Sequence, residues 1–189
     1  MTTRDVLDLA AWIGIRAGIG FVYLFAFYKN TQNAAARQWL VTHTAYMFPS
    51  VPEPRRTQLA QIFAVIGAGM MLVGGVMVLI GIEGRIGALL LLGFTAGGIY
   101  QHKKECDVAT ALGEKLAGQV PDTVKADLST LQWSGYSGNF SSGLKNWALC
   151  GLCIAIFCWG TGPVVGQHPG HYGITISDRI VPGILGLPE

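Results

Sequence analysis

Residues 59–82 read LAQIFAVIGAGMMLVGGVMVLIGI, a run of 24 residues with no charged side chain. A helix of about 20 predominantly apolar residues is long enough to cross the hydrocarbon core of a bilayer. The apolar segments of buried helices in water-soluble proteins are usually shorter than this. The segment therefore predicts a membrane-spanning helix, and it decides the fold class.

Three further apolar segments predict additional spans, at residues 9–28, 85–101 and 144–165. A short polar turn at residues 83–85 separates the run at 59–82 from the third span, so these two spans should form an antiparallel hairpin. We predict an all-α protein with a single domain over residues 1–189, folded as an integral-membrane four-helix bundle.

The composition of the whole chain agrees with this fold. Charged residues make up 13% of the 189 residues and hydrophobic residues 51%, whereas a soluble domain carries about 25% charged residues. The 26 glycines are about twice the usual share, which suits closely packed helices in lipid. The net charge of +2 is too small to indicate a nucleic-acid partner.

The two long connections between spans carry the pattern of short amphipathic helices. Apolar residues recur at helical spacing over residues 34–48, 107–118 and 121–132. Such helices lie in the plane of the membrane interface. The segment at residues 133–143 is rich in Ser, Gly and aromatic residues, which favours a turn at the membrane surface.

Positive charges are distributed unequally between the two sides that four spans create. Three fall on the side of the turn at residues 83–85, namely Arg4, Arg85 and Arg179. Nine fall on the side of the long connections, at Lys29, Arg37, Arg55, Arg56, Lys103, Lys104, Lys115, Lys125 and Lys145. Because cytoplasmic loops carry an excess of Lys and Arg, we expect the long connections on the cytoplasmic side of a bacterial inner membrane, or on the equivalent side of an organellar membrane.

Arg16 is the one charged residue that lies well inside a predicted span. A charge about 10 Å from the start of the helix costs at least about 2.5 kcal/mol and needs a partner or a route to water. Three acidic residues on the same side are candidate ion-pair partners: Asp8, Glu83 and Asp178. The alternatives are a side chain that extends to the nearby interface and a role in binding substrate or quinone.

The fourth span carries a CxxC pair, Cys150 and Cys153, whose thiols share one helix face. A redox pair is one interpretation. Packing in the core is the other, because a thiolate is disfavoured in hydrocarbon and cysteine is a common small apolar core residue. No group of His, Cys and carboxylate residues has the spacing of a metal site, and no catalytic set of residues is recognisable.

Glycines recur in pairs, or four residues apart, within the spans. Small residues at these spacings let helix backbones approach closely in lipid. We therefore expect helix contacts at Gly14, Gly18, Gly74, Gly75, Gly93 and Gly97.

Short motifs in all four spans resemble the DoxX-like membrane proteins. The first span holds IRAGIGF at residues 15–21, and the hairpin holds GGVMVLIGIEGRIGA at residues 74–88. The segments at residues 145–162 and 176–178 are similar to the last span and to the Ser-Leu-Asp ending of that family. One departure is Met71, which occupies a position three residues before the glycine pair where the family often has an acidic residue.

The resemblance implies a membrane protein of the kind found as a subunit of thiosulfate:quinone oxidoreductase and as a partner of other membrane redox complexes. We therefore expect a non-catalytic accessory subunit of a multi-subunit electron-transfer complex, respiratory or photosynthetic. Its partners would be other membrane subunits and the lipid bilayer. It would hold no covalently bound cofactor, while quinone, lipid or pigment could lie against its helices, with Arg16 as the candidate contact.

Two other functions remain open from the sequence. In a catalytic quinone-reactive subunit, Arg16 would orient the quinone while Cys150 and Cys153 exchange electrons. A small transporter is the third hypothesis, which the near absence of polar residues in the second and third spans disfavours.

Overall fold

The computed structural model of the chain describes residues 3–160 together with residues 176, 180, 183 and 184. Over these residues the protein is all-helical, which confirms the predicted all-α class. The helices are α1 (Thr3–Thr31), α2 (Ala34–Ala45), α3 (Arg55–Ile80), α4 (Gly84–Ala117) and α5 (Lys125–Trp159), with a single 3-10 turn at Asp122–Val124 before α5.

Three stretches of helix are long and apolar enough to cross a membrane, as expected of an integral membrane protein. They are Val6–Thr31 in α1, Arg55–Ile80 in α3, and Asp122–Trp159, which is α5 with the turn before it. The first predicted span lies within these helices, the second does so apart from residues 81–82, and the fourth does so as far as residue 159. Residues 161–165, at the end of the fourth predicted span, lie outside the described residues.

The third predicted span, residues 85–101, is the first half of α4, which is not one of these three helices. Its uncharged apolar stretch runs only from Ile86 to Ile99 and is followed by Gln101 and a polar second half. Such a stretch is about 21 Å long, which is short of the hydrocarbon thickness of about 30 Å. Despite this, α3 and α4 form an antiparallel hairpin through the turn at residues 81–83, as predicted.

The second long connection differs from the prediction. The helix predicted at residues 107–118 is the end of α4, and the helix predicted at 121–132 falls on the 3-10 turn and the start of α5, so neither is a separate interfacial helix. The turn predicted at 133–143 is wrong, because these residues are helical within α5. The two long helices pack against each other in an antiparallel pair.

Packing against α4 explains why α5 continues through this glycine-rich segment. Each glycine in a helix costs about 1 kcal/mol relative to alanine, which is why the composition favours a turn. In the structure the Asn139 amide donates to the Gly135 carbonyl at 3.0 Å, and the Ser142 hydroxyl donates to the Gly138 carbonyl at 2.9 Å. Such bonds back to a carbonyl of the same helix satisfy the side chain but add no helix stability. The contact with α4 supplies the stability that local propensity lacks.

The first long connection contains α2, which lies within the predicted helix at residues 34–48. Its N-terminus is capped by Asn33, whose side-chain oxygen accepts a hydrogen bond from the backbone of Ala36 at 2.8 Å. The helix packs mainly on α3 and also contacts α1 and α4. Its position in a membrane interface stays a prediction.

The buried apolar core draws on four of the five α-helices. Each of α1, α3, α4 and α5 contributes two fully buried side chains to one cluster: Ile19, Tyr23, Met71, Val78, Ala88, Leu91, Cys153 and Ile156. A single core therefore joins the three long apolar helices to the first half of α4.

The adjacent glycines of α3 contact different helices. A Cβ atom at Gly74 would lie 2.9 Å from the carbonyl oxygen of Gly87 in α4. A Cβ atom at Gly75 would lie 3.2 Å from Leu24 in α1. This pair therefore lets α3 approach α1 and α4 at the same level, which agrees with the expected packing role.

The other predicted glycine contacts are mixed. Gly93 faces the Met70 side chain of α3, where a Cβ would lie 3.3 Å away. Gly14, Gly18 and Gly97 have open space around them among the described residues. For these three glycines the role as a helix contact face stays a prediction. The contact on α1 is made instead by Gly20, where a Cβ would lie 2.7 Å from that of Leu79.

Candidate functional site

Arg16 is buried against the end of α3. Its Nε donates to the Val78 carbonyl at 3.3 Å and its Nη2 to the Leu79 carbonyl at 3.0 Å. The residue is only 2% exposed, so its side chain is covered by other parts of the protein. The guanidinium supplies donors and positive charge to a helix C-terminus, where carbonyl groups lack partners within the helix.

The turn after α3 is shaped around this arginine. Gly81 has a φ of +77°, and a Cβ there would lie 2.5 Å from Nη2 of Arg16. Only glycine combines the left-handed backbone with room for the guanidinium. The carboxylate of Glu83 accepts a hydrogen bond from the backbone N–H of Ile176 at 2.9 Å. Asp178 lies outside the described residues, so the pairing of Arg16 with Glu83 or Asp178 stays a prediction.

A second arginine, Arg85 at the polar turn, is also buried. Its Nη1 donates to the carbonyls of Phe157 and Cys158, at 2.5 and 2.7 Å, in the last turn of α5. Arg85 therefore donates to the terminal carbonyls of α5, as Arg16 donates to those of α3. The available signal was a lone cation in the first turn of an apolar helix, which indicates a partner but does not identify it.

A polar contact lies in the middle of the core between three helices. The hydroxyl of Tyr23 lies 2.5 Å from Oγ1 of Thr95 and 3.9 Å from Sγ of Cys153. The Thr95 hydroxyl is also 2.6 Å from the Leu91 carbonyl, to which it donates. Because Thr95 uses its proton there, the Tyr23 hydroxyl is the donor to Thr95. This chain of hydrogen bonds connects α1 to α4 where both are surrounded by apolar side chains.

Cys150 and Cys153 both lie on the buried face of α5 as free cysteines. Cys153 is fully buried beside Tyr23 and belongs to the apolar core. These surroundings suit packing, and a redox role for the pair stays a prediction.

The polar cluster at the other end of the core is built around Glu105, a buried carboxylate in α4. Gln101 donates to one of its oxygens at 2.9 Å, and Nδ1 of His102 lies 3.2 Å from the other. The same nitrogen lies 3.1 Å from Oδ1 of Asn139 in α5. Both neighbours of Nδ1 are acceptors, so this nitrogen carries a proton, and Nε2 forms no hydrogen bond with a described residue.

The charges of this cluster favour an ion pair. Burial by itself raises the pKa of Glu105, but hydrogen bonds from His102 and Gln101 and the charges of His102 and His43 outweigh it, so its pKa lies below the usual value. The hydrogen bond to Glu105 raises the pKa of His102 against the effect of burial. The cluster thus holds α4 to α5 and places His43 of α2 nearby. Sequence reasoning missed Glu105, although its spacing from Gln101 and His102 fits one helix face.

A comparison of the chain with protein-family models, with curated proteins and with solved structures finds no match. Among the residues that the structure describes, no group of three or more His, Cys, Asp or Glu side chains comes together in a way that could hold a metal ion. Arg16 and the cluster at Glu105 are hydrogen-bonded to other helices, which is an arrangement that positions helices.

Beyond Glu105 and His102, α4 and α5 continue as a pair that we name the outer hairpin, residues 103–138. On α5 the rings of Trp133 and Tyr136 stack with centroids 5.9 Å apart. A shallow cavity of about 340 Å3 lies beside these rings, lined by Thr110, Ser129, Gln132, Trp133 and Tyr136. Large apolar side chains on this hairpin are exposed, notably Leu112, Leu131 at 70% and Trp133 at 67%.

Proposed function

We propose that α1, α3, α4 and α5 cross the membrane as a four-helix bundle. The shared core supports this arrangement, because α4 provides buried residues at the same levels as the three long apolar helices. From Arg85 to His102 the axis of α4 is about 26 Å long, which is close to the hydrocarbon thickness of about 30 Å. The two arginines then lie near one surface and the cluster at Glu105 near the other.

The outer hairpin extends beyond the bilayer in this arrangement. Gln132 donates to the Thr110 carbonyl, so Trp133 lies about eight residues past His102, or about 12 Å further out. Leu112 lies about 15 Å further out by the same rise per residue. Headgroups extend only about 5 to 8 Å beyond the hydrocarbon core. Lipid therefore does not cover these exposed apolar side chains.

This exposed apolar surface carries the proposal that the protein is an accessory subunit of a multi-subunit membrane complex. Leu131 and Trp133 are large, exposed and out of reach of the membrane, which is the property of a protein contact site. The outer hairpin supplies the docking surface, and the bundle anchors it. The relation to DoxX-like proteins, and with it an electron-transfer complex and a quinone or lipid beside the helices, rests on the sequence motifs.

Photo-crosslinking in native membranes tests this function, with Trp147 as a matched control. A crosslinking amino acid replaces Trp133 in one variant and Trp147 in another. Both tryptophans lie on α5 and are almost equally exposed, at 67% and 65%, but Trp147 is at membrane depth. We expect position 133 to give one discrete protein adduct, identified by mass spectrometry, and position 147 to give chiefly lipid adducts.

Two results would contradict the proposal. One is the absence of any protein adduct at position 133. The other is a wild-type chain that runs in mild detergent at the mass of a single copy, with no other subunit retained. A protein adduct at both positions would instead extend the contact surface into the membrane.

A further inference from the structure

Each of the five α-helices carries, towards the side of the long connections, an exposed cation that forms no ion pair with a described residue. They are Lys29 in α1, Arg37 in α2, Arg55 in α3, Lys103 in α4 and Lys145 in α5. Arg37 donates to the Thr31 carbonyl at 2.8 Å, which leaves its charge without an acidic partner there. These five positive charges therefore have no acidic partner among the described residues.

Four of these cations lie at nearly the same level along the helices. Tyr23 of α1 contacts Thr95 of α4. These two helices run in the same direction, because each is antiparallel to α3. Lys29, six residues after Tyr23, therefore lies at the level of residue 101 in α4. A Cβ at Gly98 would lie 2.8 Å from the amide of Asn146, which places Lys145 at the level of about residue 99. Lys103 is two residues beyond Lys29 by this measure.

Arg55 completes this group from the side of α3. A Cβ at Gly67 would lie 3.3 Å from the Phe94 ring, so Gly67 lies at the level of Phe94 in α4. Because α3 and α4 are antiparallel, Arg55, twelve residues before Gly67, lies at the level of residue 106. Levels 99 to 106 span about 10 Å. Flexible Lys and Arg side chains reach across that distance to one plane.

The acidic side chains closest to the level of these cations are already occupied. Glu53 accepts hydrogen bonds from Arg56 at 2.8 Å and from Thr57. Asp107 lies 3.7 Å from Lys104, and Glu105 is bonded to His102. The five cations therefore keep their net positive charge, which is complementary to phosphate headgroups.

We propose that these five cations form a belt that binds the headgroups of anionic phospholipids in the leaflet on the side of the long connections. Each cation near an anionic membrane surface strengthens binding by about fivefold at low salt. The belt fixes the depth of the bundle and holds α2 against the surface through Arg37. This inference rests on the proposed placement of the bundle in the membrane, and it does not depend on the proposed partner subunit.

The test compares two double variants of the purified protein reconstituted into bilayers. Lys29→Gln with Lys145→Gln removes two charges from the belt. The control, Lys115→Gln with Lys125→Gln, removes two exposed charges at the tip of the outer hairpin. Lys115 lies about 20 Å past His102, beyond the screening length of about 8 Å at physiological salt.

The measured quantity is the association of spin-labelled phosphatidylglycerol relative to phosphatidylcholine with the protein. We expect the wild-type preference for phosphatidylglycerol to fall in the belt variant by up to about fivefold, the effect of one cation on the headgroup beside it, to stay unchanged in the tip variant, and to return with Lys29→Arg and Lys145→Arg. Equal preference in the belt and tip variants, or a wild-type protein without preference, would overturn the proposal.

Discussion

Gly74 offers a direct test of how the helices pack, because its substitution has a matched control on the same helix. In Gly74→Ala the new Cβ would lie 2.9 Å from the Gly87 carbonyl oxygen and 2.9 Å from the Leu91 side chain. A backbone oxygen cannot move away without shifting α4. In Gly69→Ala the new Cβ meets no atom within 4 Å.

The two substitutions should therefore change stability by different amounts. Overpacking by one methyl group in a closely packed core costs about 1 to 3 kcal/mol. Alanine is the better helix former by about 1 kcal/mol, so Gly69→Ala should be neutral or stabilising. We expect Gly74→Ala to lie about 2 kcal/mol below Gly69→Ala in the free energy of unfolding.

The assay is reversible unfolding in mixed micelles, with both variants measured against the wild type at one detergent composition. A reduced stability of Gly74→Ala with an unchanged helix content in the folded state would agree with the packing argument. Equal stability of the two variants would refute the reasoning, since the contact of Gly74 with Gly87 is the feature that distinguishes them.

Three further outcomes follow from the buried polar groups. Arg85→Leu should lower stability by at least about 1.5 kcal/mol, because hydrogen bonds from a charged group are lost, and hydrogen exchange should show a loosened end of α5; unchanged exchange would contradict this. A double-mutant cycle of Tyr23→Phe and Thr95→Val should give a coupling of about 0.6 to 1.7 kcal/mol in unfolding free energy, and zero coupling would exclude the hydrogen bond. The contact between His102 and Glu105 should stabilise the fold most between the ordinary pKa values of 4.5 and 6.5. Its stabilising effect should be lost as pH falls through the lowered pKa of Glu105 or rises through the raised pKa of His102; Glu105→Gln should flatten this dependence in thermal unfolding, and a wild-type profile in that variant would contradict it.

The helical segments could be predicted from the sequence because charge and apolar length define them. The run at residues 59–82 lies in α3 apart from its last two residues. The turn that follows α3 begins at Gly81, which has a positive φ, and continues into polar residues. The continuity of α5 could not be predicted in the same way. Local propensity at residues 133–143 favours a turn, and only contact with a helix distant in sequence reverses that preference.

The partners of the buried charged residues could not be predicted from the sequence either. Arg16 could be recognised as a charge that needs a partner, yet the described partners are the backbone carbonyls of Val78 and Leu79, which every residue type provides. Residue types alone therefore identify carboxylates as possible partners of a buried arginine, but they do not identify backbone carbonyls. Glu105 could not be predicted as buried, because it lies in a polar stretch of sequence. Its burial depends on the contact of α4 with α5, which is distant in sequence.

The two parts of the protein differ in what can hold their helices together. Within lipid, burial of apolar surface gives little preference for helix contact, so close glycine contacts and hydrogen bonds must supply it. The bundle has both, at Gly74 and at Tyr23. The outer hairpin lies in water under the proposed placement, where burial of apolar surface does favour contact, and yet Leu131 and Trp133 remain exposed. Burial of apolar surface is most favourable on this part of the molecule, and here the surface is uncovered. We therefore expect a partner at the outer hairpin and not along the bundle.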